Sequence, residues 1–448
     1  MFSRVLVACR GEIALRVIRT CKKMGVETVA VYSEADANAS YLKLADKAYC
    51  IGPREASKSY LNTTAMIATA EIADVEAVHP GYGFLSENAK FAEDISSVGV
   101  VFIGPPAAAM QILGDKSKAR ELAVKVKVPV VPGSDGPVET IDAAKEWARQ
   151  VGYPVLLKAA FGGGGRGMRI VHNDASLAVA FASAKTEAQA AFGNGSLYLE
   201  KYIIGPRHVE IQILADKHGS VIHLGERECS VQRRHQKVIE ESPSPFFTSD
   251  RQRRTMGDAA VRLMKAAGYQ SAGTVEFIMD KDGNFYFIEV NKRIQVEHPV
   301  TEMITGIDIV EEQLRIAYGE PLRYRQKDIV ASGWAMECRI NAEDPERGFM
   351  PSPGKITFYL PPSAKDVRVD SHIYSGYEVP PDYDSLLAKL IVKGQDRQDC
   401  IKRMRQALSE FLIEGIPTTV GFCQEVLGHV AFVRGNYNTS FVADMLGY

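Results

Sequence analysis

At 448 residues, with 46% hydrophobic and 24% charged residues, the chain has apolar material for several cores and an ordinary globular balance, and its length predicts about three domains. A formal net charge of −2 argues against broad nucleic-acid binding. The longest apolar run, near Val100 to Leu113, is broken by Pro105 and Pro106 and cannot span a membrane. The seven cysteines (Cys9, Cys21, Cys50, Cys229, Cys338, Cys400, Cys423) are scattered without a CxxC pair. Neither a zinc ribbon nor a disulfide framework is indicated, and reduced thiols in the cytoplasm are expected. The first residues run directly into a strand pattern without the shape of a signal peptide.

In chain order, Val5 to Ala8, the amphipathic run Glu12 to Met24, the stop at Gly25 and the run Thr28 to Ser33 read as strand, helix, strand. Val75 to His79 and Val100 to Gly104 continue a parallel α/β layer. Gly11 alone is no dinucleotide fingerprint. A helix and a proline-containing linker follow from Gly114, then a small αβ segment: a strand ending at Lys158, the glycine run Gly162 to Gly167, a helix over Ala175 to Ala190 and a strand reaching Tyr202. Residues 207–225 and 274–290 read as antiparallel strands around a helix at Arg251 to Ala267, with a hairpin turn at Asp280 to Gly283. The tail mixes strands near Trp334 to Asn341 and Ile356 to Leu360 with a helix at Arg397 to Leu412.

Four stretches carry chemistry. The glycine run has the backbone freedom to approach phosphate and to act as a lid, but it is no P-loop, and a flexible linker explains glycines alone equally well. Lys158 before it and Arg166 within it favour polyphosphate. Glu200, Lys201, Tyr202 and Ile203 suit an adenine edge, or simply a surface ion pair. The polar stretch Gly225 to Lys237 lacks aromatics for base stacking and fits an anion pocket, or a solvated face. From Glu289 to Glu297 a carboxylate, an amide, a guanidinium, an amide and a carboxylate alternate (Glu289, Asn291, Arg293, Gln295, Glu297), so a continued strand would place all five on one face. Glu276 on the preceding strand could converge with Glu289 and Asn291 on Mg²⁺, and Arg339 could hold an oxyanion.

The whole chain resembles the biotin carboxylases, the ATP-grasp subunits of biotin-dependent carboxylases. The matching stretches are RGEIA from Arg10, HPGYGFLSEN from His79, GGGGRGM from Gly162, QRRHQK from Gln232, RIQVEHPVTEM from Arg293 and CRINAEDP from Cys338. The resemblance implies a Rossmann-like N-terminal domain over 1–113 and an ATP-grasp domain over 114–330, with its lid at about 131–203. A mixed α+β C-terminal domain over 331–448 completes the expectation.

The resemblance also implies roles. Nucleotide would be held by Lys116, Lys158, Gly163, Gly164, Gly165, Met168, Glu200, Lys201, Ile203, His208, Gln232, His235 and Ile278. Mg²⁺ or Mn²⁺ would be held by Glu276, Glu289 and Asn291. Bicarbonate and biotin would meet Lys237, Arg293, Gln295, Val296, Arg339 and Tyr82, with Glu297 as general base.

The implied activity is ATP-dependent carboxylation of biotin through carboxyphosphate, the first half-reaction of acetyl-CoA carboxylase in fatty acid synthesis. Alternatives are the same subunit in a propionyl-CoA, pyruvate or 2-oxoglutarate carboxylase, a weakened homologue, or a carboxylate–amine ligase. Met264-Lys265-Ala266 sits in a helical pattern rather than between two methionines, so biotin is expected on a separate carrier protein. Carboxyltransferase subunits and a homodimer, formed through the first helix and the C-terminal region, complete the expected partners. Three residues depart from the family's usual pattern: Cys9 for Asn, Phe161 for a small residue and Lys292 for Thr. By strand alternation Lys292 is expected to point away from the polar face, where its ammonium must find a partner or destabilise the chain.

Overall fold

The structure, a computed structural model, describes residues 1–134, 136–159, 169–192, 195–247 and 249–447. The chain divides into two units, one comprising 1–128, 207–277 and 289–448, the other 129–206 with 278–288. Among the described residues no helix is long and apolar enough to cross a membrane.

The first unit begins with a five-stranded parallel sheet of β1 (Arg4–Val7), β2 (Glu27–Tyr32), β3 (Lys47–Cys50), β4 (Ala77–His79) and β5 (Val101–Phe102), ordered β3-β2-β1-β4-β5. β1, β2 and β4 are almost wholly buried, which explains their continuous apolar runs. Between β1 and β2 lies α1 (Gly11–Lys23), with Glu12 in its first turn and Lys22 and Lys23 in its last, as the helix dipole favours. Gly25, at φ +71°, lets the chain leave the helix. The Rossmann-like expectation holds. The buried face of α1 nevertheless includes Glu12 and Arg16, two charges that need partners elsewhere in the fold.

The same unit contains most of an eight-stranded sheet. In chain order its first strands are β9 (Arg207–Ala215), β10 (Val221–Arg233), β11 (Gln236–Ser242), β12 (Ser271–Met279), β13 (Phe285–Asn291) and β14 (Trp334–Asn341), after β6 (Val155–Ala159), β7 (Arg169–Val171) and β8 (Leu197–Lys201) of the second unit. The strands Val367–Ser371 and Leu386–Gly394 complete it, in the order β13-β12-β9-β10-β11-β14-(386–394)-(367–371). A bulge between His223 and Glu226, with Gly225 at φ +92°, shifts the register of β10 so that Arg227 falls opposite Glu210 on β9.

One expectation is corrected here. The alternating polar row predicts a continuous strand, but β13 ends at Asn291 and residues 292–297 form an irregular segment before the helix His298–Thr305. Side chains and the local turn take the backbone bonds that a ladder would supply. Lys292 N–H donates to Glu87 (2.8 Å), the Val296 carbonyl accepts from Lys389 (2.9 Å), and His298 N–H donates to the Gln295 carbonyl (3.3 Å).

In the second unit β6 (Val155–Ala159) lies between β7 (Arg169–Val171) and β8 (Leu197–Lys201), antiparallel to both. The helices Ile141–Val151 and Asp174–Phe192 share its core with Val155, Leu157, Leu177, Leu197 and Leu199. Phe161, the glycine run Gly162 to Gly167 (with Gly163, Gly164, Gly165 and Arg166) and Met168 lie outside the described residues.

Candidate active site

In the first unit, carboxylates and cations from widely separated positions meet around Lys237 on β11. Its ammonium lies 2.7 Å from Glu210, 3.1 Å from Glu276 and 2.7 Å from Glu297. Burial disfavours that charge, yet Glu210, Glu297 and Glu276 outweigh burial and hold the ammonium protonated well above its ordinary range. Glu297 is fully buried and its second oxygen accepts from Arg339 (2.8 Å), whose Nε donates to Glu240 (2.6 Å). Burial alone would push the Glu297 carboxyl up, but Lys237, Arg339 and Arg227 together hold it well below the usual carboxylate range. Glu240 keeps the opposite balance. Burial dominates and its carboxyl is pushed up to about 7.

Glu297 occupies the N-cap position of the helix His298–Thr305 but does not cap it, because its carboxylate is held by the two cations. Pro299 in the first turn of that helix needs no N–H partner, so the turn tolerates this diversion. Arg293 spans Asn291 and Gln295, each 3.2 Å away. The Gln295 amide nitrogen is buried without a protein partner. Lys237 and Arg339 also line one small cleft with Arg233, Gln236, Asn341 and Thr419.

Asn291 donates to Glu276 (2.7 Å), and His208 lies 3.1 Å from the other Glu276 oxygen. Burial would raise the Glu276 carboxyl, but Lys237 and His208 hold it low. Glu289 is half exposed and pairs with Lys116 (3.7 Å), which the Asp115 cap sets at the start of its helix. Tyr82, in the loop after β4, donates a short hydrogen bond to Glu12. Gln232 is buried near the end of β10, whereas His235 is exposed at the β10–β11 turn with φ +66°. In the second unit Lys158 pairs closely with Glu200, Lys201 donates to the Gly152 carbonyl (2.6 Å), and Ile203 and Ile278 are half-buried.

Sequence reasoning missed Glu210, Glu240, Lys389 and Glu87. Glu210 had a signal, since His208, Glu210 and Gln212 alternate with Val209, Ile211 and Ile213. Lys389 had one too, as a lone lysine in the apolar run 386–392.

Lys292 is buried, with 8% exposure, and its ammonium lies 4.0 Å from Glu87, over the space that Gly114 leaves open. Glu87 is shared, accepting from the Lys292 backbone and lying 3.9 Å from the Arg293 guanidinium. The partner exists but at the limit of an ion pair, so desolvation is poorly offset. Lys292→Thr is expected to stabilise the protein by about 1 kcal/mol and to raise turnover. Thermal melting and steady-state assays of the two forms check this, and equal values in both would refute it.

The comparisons with known proteins agree along the whole chain. The family model "Biotin carboxylase, N-terminal domain" matches residues 1–110, "Carbamoyl-phosphate synthase L chain, ATP binding domain" residues 115–325, and "Biotin carboxylase C-terminal domain" residues 337–444. A biotin carboxylase of Nostoc sp. is 54% identical over 444 residues, 99% of each chain. The biotin carboxylase domain of a thermophilic 2-oxoglutarate carboxylase, solved with bicarbonate, superposes with a TM-score of 0.95 at 48% identity, covering 100% of this chain and 98% of that one. The corresponding domain dimer from Hydrogenobacter thermophilus, solved with MgADP, ADP and bicarbonate, has a TM-score of 0.89 at 49% identity, with 100% and 98% covered. With its parallel N-terminal sheet, its eight-stranded sheet and this polar cluster, the chain belongs to the biotin carboxylase family of ATP-grasp ligases.

Proposed function

We propose that the chain carboxylates the ureido nitrogen of biotin on a separate carrier protein, using ATP and bicarbonate. The observation that carries this reading is Glu297, a fully buried carboxylate kept ionised between Lys237 and Arg339. Lys237, Arg293 and the unpartnered Gln295 amide supply the donors that a bicarbonate anion needs, beside the Val296 backbone. Glu297 takes the bicarbonate proton, and the oxyanion attacks the γ-phosphate of ATP. Carboxyphosphate gives CO₂ and phosphate, the phosphate deprotonates biotin, and the biotin nitrogen captures CO₂. Arg339 stabilises the negative charge that develops on the ureido oxygen, with Tyr82 at the biotin side.

We assign nucleotide contacts, on the family pattern, to Lys116, Lys158, Glu200, Lys201, Ile203, His208, Gln232, His235 and Ile278. Gly163 to Gly165 and Met168 are proposed on the family pattern alone. Glu276, Glu289 and Asn291 would hold Mg²⁺ or Mn²⁺. Their oxygen donors fit a hard cation, and Glu276 and Glu289 now draw their compensation from Lys237, His208 and Lys116. When bound, the metal would neutralise phosphate charge.

A homodimer, a biotin carrier protein and carboxyltransferase subunits are the proposed partners. The acceptor of the carboxyl group is then chosen by the transferase, in fatty acid synthesis or in another biotin-dependent carboxylase. The seven cysteines are free thiols, which suits the cytoplasm.

Labelled bicarbonate tests the route. Its oxygen is expected in the released phosphate, with ADP release rising when free biotin is added. Unlabelled phosphate would rule out the carboxyphosphate path.

A further inference from the structure

Among the described residues Lys389 is a fully buried lysine whose polar partners come from three different parts of the first unit. It lies on the strand Leu386–Gly394, directly opposite Arg339 on β14. Its ammonium donates to the Val296 carbonyl (2.9 Å) and lies 3.2 Å from Glu12 on α1 and 3.8 Å from Asp370 on the strand Val367–Ser371. Its exposure is 0%. Two like charges directly across a strand pair oppose folding, and an interior ammonium costs more than a leucine or methionine of similar size. Packing therefore gives no reason for a lysine at this position. The contacts do.

Val296 and Glu297 are adjacent, and the two cross-strand cations hold them in succession. Lys389 takes the carbonyl of the first and Arg339 the carboxylate of the second. The peptide between them lies outside any ladder, so these contacts largely fix its orientation. His298 adds a third tie through its ring nitrogen to the Gln295 carbonyl (2.7 Å), and burial among Lys389, Arg16 and Arg368 keeps it neutral. On the other side, the Glu12 oxygen nearest Lys389 accepts the Tyr82 hydroxyl. One ammonium thus joins the turn that carries the base to the loop that carries Tyr82.

We propose that Lys389 is a positioning residue, which sets the Val296–Glu297 turn through the Val296 carbonyl and the Tyr82 hydroxyl through Glu12. It touches no reacting atom. The catalytic half of this inference rests on the reading of Glu297 as base and Tyr82 as a biotin contact, but the structural tie does not.

The test uses the full chain with Lys389→Met, Lys389→Arg and Glu12→Gln. Hydrogen exchange followed by mass spectrometry reads the tie without activity. Lys389→Met is expected to speed exchange in residues 292–300 at least tenfold, with Lys389→Arg close to the parent. In bicarbonate-dependent ADP release, Lys389→Met is expected to lose kcat by tenfold to a hundredfold with the KM for ATP within twofold. Lys389→Arg should recover at least a third of the kcat, and Glu12→Gln should raise the KM for free biotin severalfold with little loss of kcat. Exchange and kinetics equal to the parent in Lys389→Met overturn the proposal, as does equal impairment of the Met and Arg variants. Should Lys389→Met fail to fold, Glu12→Gln decides alone, and parental exchange at residues 79–88 with a parental KM for biotin overturns the link. A parent without bicarbonate-dependent turnover refutes the functional reading, while the exchange data still decide the tie.

Discussion

Replacing Glu297 by Gln is expected to lower bicarbonate-dependent ADP release in the presence of biotin by about 10²–10⁴-fold, the usual effect of removing a positioned base. The substitution keeps the side-chain shape, but an amide cannot take a proton at neutral pH. Its oxygen can still accept from Lys237, now 2.7 Å from the carboxylate, whereas its NH₂ would face the Arg339 donors. The protein should still fold, because Lys237 retains Glu210 and Glu276 and Arg339 retains Glu240. Retention of the melting shift caused by ADP would show that nucleotide binding survives. The ionisation of Glu297 adds a pH signature. Its folded carboxyl lies below its unfolded value, which is near 4.3 for a free glutamate, so it contributes stability above that pH and loses it as pH falls. The melting gap between parent and Glu297→Gln should therefore be full at pH 6–8 and should narrow below about pH 4. Turnover within tenfold of the parent, in a variant that still responds to ADP, would remove Glu297 from the role of base.

What could be read from the sequence follows from how far each pattern reaches. The N-terminal layer was legible because β1, α1 and β2 occupy 29 consecutive residues, Arg4 to Tyr32, and their periodicities change within that span. The row from Glu289 to Glu297 pointed to residues that the fold gathers around one polar cluster, but through the wrong geometry. Period two is the signature of a strand, but it arises equally when an irregular turn delivers side chains to buried partners, and Glu87 and Lys389 are the partners that end the strand here. Lys292 was expected on the opposite face by the same alternation, and it instead shares Glu87 with Arg293. Glu12 and Lys389 are 377 positions apart, so no local pattern could join them. A charged residue that reads as solvated in one dimension becomes an interior ion pair only when the topology is known.

Arg227 is the residue whose removal is expected to damage stability most. Its guanidinium is fully buried and donates to Glu210 (2.5 Å), Gln212 (2.7 Å), Thr301 (3.0 Å) and Thr274 (3.0 Å). Those four acceptors come from β9, β12 and the helix His298–Thr305, so one side chain joins two strands to the helix that Glu297 heads. Methionine would fill much of the volume but leave the acceptors without donors, Glu210 among them. Breaking a buried ion pair from one side costs about 3–5 kcal/mol, which for a protein of this size lowers the melting temperature by roughly 3–5 °C. Glu210 would then rely on Lys237 alone, drawing that ammonium from Glu276 and Glu297, and turnover should fall with stability. The pair can be separated from the packing by adding Glu210→Met. Replacing both charges by apolar groups removes the uncompensated carboxylate, so the double variant should be more stable than Arg227→Met alone. Thermal melting of the parent, both single variants and the double variant measures the coupling. A melting temperature for Arg227→Met within about 1 °C of the parent, a margin of about 1 kcal/mol, would show that the four hydrogen bonds contribute little. Additive losses in the double variant would show that Arg227 and Glu210 act independently, and that the arginine's reach to Gln212, Thr274 and Thr301 accounts for its effect.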